Sequence, residues 1–252
     1  MLIDTHCHIH EAYELPIDEV LERAAEAGVG EYICVGTSEE SSRLAIDFAK
    51  KHPAAYAVIG VHPHDTKDGY AAIAHLAGTS SKIVAVGEIG LDYFYTHSPR
   101  EVQMEALEAQ IQIALKHNLP IIFHVREAFD DFWPIFDKYP QIRGVLHSFT
   151  DSSVNLQMAL ARGLYIGVNG ISTFTKDEAQ KATFDSIPLD RLLFETDAPF
   201  LTPAPLRGKV NEPAYVKLVA EYHANRRGLT LKVIADATTA NARAFFKLTA
   251  LS

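Results

Sequence analysis

From end to end, the chain alternates short apolar runs with segments of helical period. Runs of four to eight apolar residues mark buried strands, and the 3.6-residue pattern between them marks helices. The expected strands are Leu2–His8, Tyr32–Gly36, Tyr56–Val61, Ile83–Ile89, Pro120–Val125, Gly144–Phe149, Tyr165–Asn169 and Leu192–Asp197. Strand and helix in strict alternation call for a parallel sheet, since a parallel neighbour needs a crossover. Eight such units close naturally into a barrel. A doubly wound open sheet is the competing arrangement, and it would leave two edges. The expected fold is thus α/β, a (β/α)8 TIM barrel, with an extra C-terminal helix over Leu231–Leu248. A chain of 252 residues fits one such barrel, so 1–252 reads as a single domain.

Local signals support the helices. Ser98-Pro99-Arg100-Glu101 reads as a capping box with proline at the first helical position. The helix it opens carries Met104, Leu107, Ile111 and Leu115 on one stripe. Thr37-Ser38-Glu39-Glu40 reads as a second capped start, with Leu44 and Phe48 facing inward. The proline-rich segment 199–213 follows the eighth strand and is expected to be an active-site loop.

A net charge of −9 excludes binding nucleic acid by bulk charge. Action on a phosphodiester would then need bound metal or a few basic side chains. No apolar run approaches the ~20 residues of a membrane span. Cys7 and Cys34 are too few for a disulfide framework and read as reduced thiols. With no signal peptide in view, a cytoplasmic protein is expected, with no membrane association and no obligate protein partner.

The twelve histidines are the unusual number. His6 and His8 end strand 1, His62 and His64 follow strand 3, Glu88 ends strand 4, His124 strand 5, His147 strand 6 and Asp197 strand 8. The C-terminal strand ends are where such a barrel builds its active site. His6 and His8, two apart on a strand, share a face and suit one metal; Cys7 points the other way. The bland alternative is a set of hydrogen-bonded core histidines. Four histidines (His6, His8, His124, His147) and two carboxylates (Glu88, Asp197) exceed one tetrahedral ion. They suit two divalent ions bridged by Glu88. Asp92 and Glu195 fit either ligand orientation or ion pairing. His62, His64, Arg126, Arg207 and Lys209 are the candidate substrate contacts, the three cations as phosphate receivers. Tyr93, Phe94, Tyr95 and Phe129 are candidates for base stacking. His10, His52, His75, His97, His117 and His223 read as mostly solvated.

Several motifs resemble the TatD family of metal-dependent hydrolases. They are Asp4-Thr5-His6-Cys7-His8, Gly60-Val61-His62-Pro63-His64, Gly87-Glu88-Ile89-Gly90-Leu91-Asp92-Tyr93, Leu146-His147-Ser148-Phe149-Thr150 and Glu195-Thr196-Asp197-Ala198-Pro199-Phe200-Leu201. Pro205-Leu206-Arg207-Gly208-Lys209 and Thr239-Ala240-Asn241-Ala242-Arg243 belong to the same resemblance, which spans residues 3 to about 247. Ser148 stands where relatives often have Cys, and Ala198 where many have Ser; neither is a ligand position. The resemblance implies a TIM barrel of the amidohydrolase type and a nuclease dependent on divalent metal. It implies ligand roles for His6, His8, Glu88, His124, His147 and Asp197.

The resulting expectation is a phosphodiesterase acting on DNA, trimming a single strand from its 3′ end. Two divalent ions, Mg, Mn or Zn, activate water, with Asp197 and Glu88 as catalytic carboxylates and Asp197 taking the proton. The competing enzymatic reading is a hydrolase of small amides or esters, or of aminoacyl-tRNA. The non-enzymatic one is a metal-stabilised scaffold, which has no need of so full a ligand set.

Overall fold

Parallel strands form where apolar runs predict them: β1 Leu2–Cys7, β2 Val29–Val35, β3 Ala55–Ile59, β4 Ile83–Asp92, β5 Ile121–Arg126, β6 Gly144–Leu146, β7 Tyr165–Val168 and β8 Leu192–Phe194. The helices are α1 Ile17–Glu26, α2 Glu39–Lys51, α3 Ile73–Leu76, α4 Arg100–Lys116, α5 Phe129–Phe136, α6 Ser153–Ala161, α7 Ile171–Phe174, α8 Glu178–Asp185, α9 Val216–Arg227 and α10 Leu231–Phe246. This computed structural model describes residues 1–248; residues 249–252 of the single-domain expectation lie outside the described residues. The strands pair in chain order, β1 to β8. Asp197 N donates to His6 O (2.9 Å) and His8 N to Ala198 O (2.7 Å), so the chain beyond β8 meets the end of β1. Chain-order pairing with first meeting last is a (β/α)8 barrel, and the open-sheet alternative falls.

Contacts gather the chain into two compact units, one of Met1–Cys34 with Ser148 onward, the other Val35–His147. In the first, α10 holds the strand starts. Thr239 Oγ1 donates to Met1 O (2.8 Å), and Asn241 Nδ2 to Leu189 O (2.8 Å) and Leu192 O (2.9 Å). Arg243 Nη2 donates to Oε2 of the fully buried Glu31 on β2 (2.7 Å). The Thr239–Arg243 motif therefore has a structural task, attaching the extra helix. In the second unit, β4 is the longest strand and its register slips between Val86 and Ile89. Gly90 has φ +157°, and a Cβ there would lie 1.7 Å from His124 O. Only glycine lets β4 and β5 approach at this level.

Several expectations need correction. Glu88 does not end its strand, since β4 runs on to Asp92. β6 and β8 stop earlier than expected, before His147 and Asp197. Ser148 (φ +48°) and Asp197 (φ +59°) adopt left-handed backbone, which no strand continues through. The expected capping box is not made: Ser98 Oγ donates to His64 O (2.7 Å) and accepts from Lys67 N, leaving α4 without a side-chain cap. Ser38, by contrast, accepts from Ser41 N as expected. Leu44 is exposed, because α2 turns Ser41, Ser42, Ala45, Ile46 and Ala49 inward. On α4 the inward stripe is Gln103, Ala106, Leu107, Gln110, Ile111 and Ala114, leaving Met104 and Leu115 at its margins.

His10 and His223 are buried rather than solvated. His223 on α9 lies 2.9 Å from Ser172 Oγ, and burial, aided by Arg227, pushes its pKa from 6.5 down to about 3. The folded state thus holds this ring neutral, while the unfolded chain protonates it below pH 6.5. Its stabilising contribution is complete above pH 6.5 and is lost as pH falls toward 3, at up to ~1.4 kcal/mol per pH unit. His10, shifted the same way to about 3, adds in the same window. Denaturant unfolding between pH 7 and 4 should show stability falling with pH. His223→Gln, which cannot titrate there, should flatten that fall by about one proton's worth; an unchanged slope would discount His223.

Candidate metal centre

Within the first unit, β1 and the segment after β8 bring His6, His8 and Asp197 together. His6 Nε2 and His8 Nε2 are 3.2 Å apart, at 3.6 and 3.3 Å from Asp197 Oδ1. Their ligand atoms lie within 4.8 Å of one another. Asp4, given no role from sequence, fixes this geometry. Its Oδ1 accepts from Thr196 N (2.9 Å), and its Oδ2 from Thr196 Oγ1 (2.6 Å). Thr196 Oγ1 in turn accepts from Ala198 N. Asp197 thus sits between two residues tied to β1. Complete burial pushes the Asp4 carboxyl up to about 8, against the hydrogen bonds from Thr196. Glu195, also buried, accepts from Ser148 N (2.7 Å), and Gly167 leaves it room, since a Cβ there would lie 2.4 Å from its Oε2.

Within the second unit, Glu88 Oε1 is the centre of three imidazoles. His124 Nδ1 lies at 2.7 Å, His147 Nε2 at 3.4 Å and His62 Nε2 at 3.5 Å. His62, Glu88 and His124 form a second group with ligand atoms within 4.8 Å. From sequence His62 is a substrate contact; here it stands at ligand distance. The other nitrogen of His124 is 2.9 Å from Asp92 Oδ2, which also meets His64 Nε2 at 3.0 Å. Burial works to raise the Asp92 pKa, but bonds from His124, the Tyr95 amide and His64 hold it well below the usual carboxylate range. Burial likewise works against charge on His124, yet its bonds to Asp92 and Glu88 raise its pKa. His62, with the weaker contacts, is pushed down to about 4 by burial and by His124.

Two buried glutamines of α4 support this group and escape sequence reading. Gln110 Oε1 accepts from Val61 N (2.8 Å) and its Nε2 donates to Val61 O (3.2 Å). Gln103 Oε1 accepts from Asp92 N (2.8 Å) and its Nε2 donates to Asp92 O (3.1 Å). Each amide serves as an extra strand partner, for the residue before His62 and for Asp92. The available signal was two amides seven apart on an apolar helix face.

Of the expected basic contacts, Arg126 lies over Phe94. Arg207 lies over Phe174 of α7 at 3.8 Å and donates to Thr202 O in its own loop. Lys209 is exposed, its carbonyl accepting from Thr202 Oγ1.

Imidazole nitrogens and carboxylate oxygens facing one another at these distances fit divalent ions, the mixed donor set suiting Zn or Mn and the carboxylates Mg. The chain matches the TatD related DNase family over residues 3–247. It is 39% identical to the "uncharacterized metal-dependent hydrolase YabD" of Bacillus subtilis, over 98% of this chain and all of that one. It is 38% identical to the "3'-5' ssDNA/RNA exonuclease TatD" of Citrobacter rodentium, over 92% of each. Among solved structures, the TatD homologue YJJV of Escherichia coli superposes with TM-score 0.91 at 30% identity, covering 98% of both chains. Fold, ligand groups and relatives define a metal-dependent hydrolase on a (β/α)8 barrel. The chain belongs to the TatD family.

Asp92 touches two histidines and is 1% exposed. Asp92→Ala should weaken divalent metal binding roughly 10–100-fold, the usual cost of losing a group that orients a ligand. Calorimetric titration with Mn²⁺ or Zn²⁺ checks this; unchanged affinity would show that His124 needs no such support.

Proposed function

We propose that the chain is a metal-dependent phosphodiesterase that trims single-stranded DNA from its 3′ end. The observation that carries this reading is the pair of imidazole–carboxylate groups in a chain of this family. The activity in the name of the Citrobacter relative favours the polarity. In this reading two divalent ions (Mg, Mn or Zn) are bound, with His6, His8, Glu88, His124, His147 and Asp197 as ligands. Such ions supply Lewis acidity toward a phosphoryl oxygen and the attacking water. Asp197 accepts that water's proton at a carboxylate oxygen, close to His8 Nε2. Glu88 sits amid three imidazoles and so orients their rings. His62 and His64 border the substrate, and Arg126, Arg207 and Lys209 receive phosphate oxygens. The chain acts as one hydrolase domain, in the cytoplasm and without an obligate protein partner. Among the described residues no helix is long and apolar enough to cross a membrane.

Asp197→Asn should remain folded by circular dichroism yet lose ~10²–10⁴-fold in turnover, because an amide neither takes a proton nor binds metal well. Near wild-type turnover in the folded, metal-loaded variant would remove Asp197 from the chemistry.

Polarity is tested with a 5′-labelled oligonucleotide, single-stranded and as blunt duplex, in Mg²⁺ or Mn²⁺. A ladder shortening from the 3′ end, faster on the single strand, is expected. Nicking of closed circular plasmid at a comparable rate counts against it, since a circle offers no end.

A further inference from the structure

The segment after β4 builds a surface that the ligand groups do not require. Asp92 Oδ1 accepts from Phe94 N (3.0 Å) and Tyr95 N (2.9 Å), which fixes the path of three successive aromatic residues. Tyr93 turns inward, its hydroxyl donating to Asp131 Oδ2 and its ring covered by Arg100 at 4.1 Å. Phe94 and Tyr95 turn outward, 50% and 43% exposed, with rings edge-to-face at 4.6 Å. Tyr95 is flanked by His97, nearly parallel at 5.8 Å, and by His64, edge-on at 5.4 Å. His64 in turn reaches Asp92, so the aromatic surface is continuous with the group around His124.

Arg126 completes the surface. It pairs with Asp92 in the β4–β5 register and lays its guanidinium 3.9 Å from the Phe94 ring centre and 4.9 Å from that of Tyr95. It shares a strand face with His124, two residues earlier. Arg23, Arg43, Arg226 and Arg243 each meet a carboxylate. Among the described residues Arg126 makes no ion pair. Arg126 therefore keeps its charge uncompensated beside two adjacent exposed aromatic rings. A guanidinium held over a ring still has N–H donors to offer a phosphate, and exposed rings offer a surface to a base.

We propose that Phe94, Tyr95 and Arg126 form a subsite for the terminal nucleoside of a single nucleic-acid strand. The base stacks on one of the two exposed rings and meets the other, which stands at 83° to it, edge-on, and the adjoining phosphate takes the N–H donors of Arg126. This rests on the phosphodiesterase reading and adds a preference to it: the subsite reads the presence of a base, through stacking, and tolerates any base, since every base has a π-face.

The test uses the metal-loaded enzyme and a phosphorothioate-linked single strand, which resists hydrolysis, with fluorescent 2-aminopurine at the 3′ end or in the interior. Quenching of the terminal probe, stronger than that of the interior one, is expected for wild type. Phe94→Leu with Tyr95→Leu keeps apolar volume and removes the rings. It should abolish terminal quenching and weaken binding roughly ten- to hundred-fold, while a strand ending in an abasic sugar binds wild type and variant alike. Arg126→Gln should lower the slope of log affinity against log salt by about one. Equal quenching at both positions, equal weakening for base-bearing and abasic ends, or a wild type that binds no strand would each overturn the subsite. Terminal quenching by a wild type that cleaves no phosphodiester would keep the subsite and sink the nuclease reading. Stepwise cleavage without preferential terminal quenching would do the reverse.

Discussion

A carboxylate buried in a protein interior must be met by hydrogen bonds or by positive charge, or it does not stay ionised. Asp4, Glu31, Glu88, Asp92 and Glu195 are all nearly or fully buried. Each has found a different answer. Glu31 takes the Arg243 guanidinium, Glu195 a backbone amide, and Asp92 two imidazoles and two amides. Glu88 has three imidazoles at one oxygen, and Asp4 takes a hydroxyl and two amides, with its pKa raised by burial. The placement of the remaining polar residues follows from these requirements.

That logic separates groups that hold the backbone from groups that face the chemistry. Gln103 and Gln110 bond main-chain atoms beside ligand candidates, and Asp4 bonds Thr196 and the main-chain amide of His6. Their bonds are buried, which suits groups that hold a site in place. Asp92 serves both ends: one oxygen orients His124 and His64, and the other shapes the aromatic turn that follows. A single carboxylate thus links these two histidines to the exposed surface beside them.

The alternation of strand and helix was readable because a strand buried on both faces must be a continuous apolar run. Strand ends were less so, for a physical reason. Ser148 and Asp197 leave the strand through left-handed backbone, a choice set by Glu195 holding Ser148 N and by the tie of Thr196 to Asp4. Nothing local in those residues announces it. The buried state of His10 and His223 was likewise invisible, since an imidazole on a helix or in a loop reads as polar until its surroundings are known.

The sequence by itself determined the repeating unit, hence the barrel class, and the types of donor available for a divalent ion. It also carried the family, in motifs spread along the chain. Only the tertiary structure decided which donors meet. His62 joins Glu88 and His124 within ligand distance because Gln110 holds the strand end before it, and Tyr93 parts from Phe94 and Tyr95 because Asp131 takes its hydroxyl. Such choices rest on partners 38 to 49 residues away in sequence, and local pattern has no access to them.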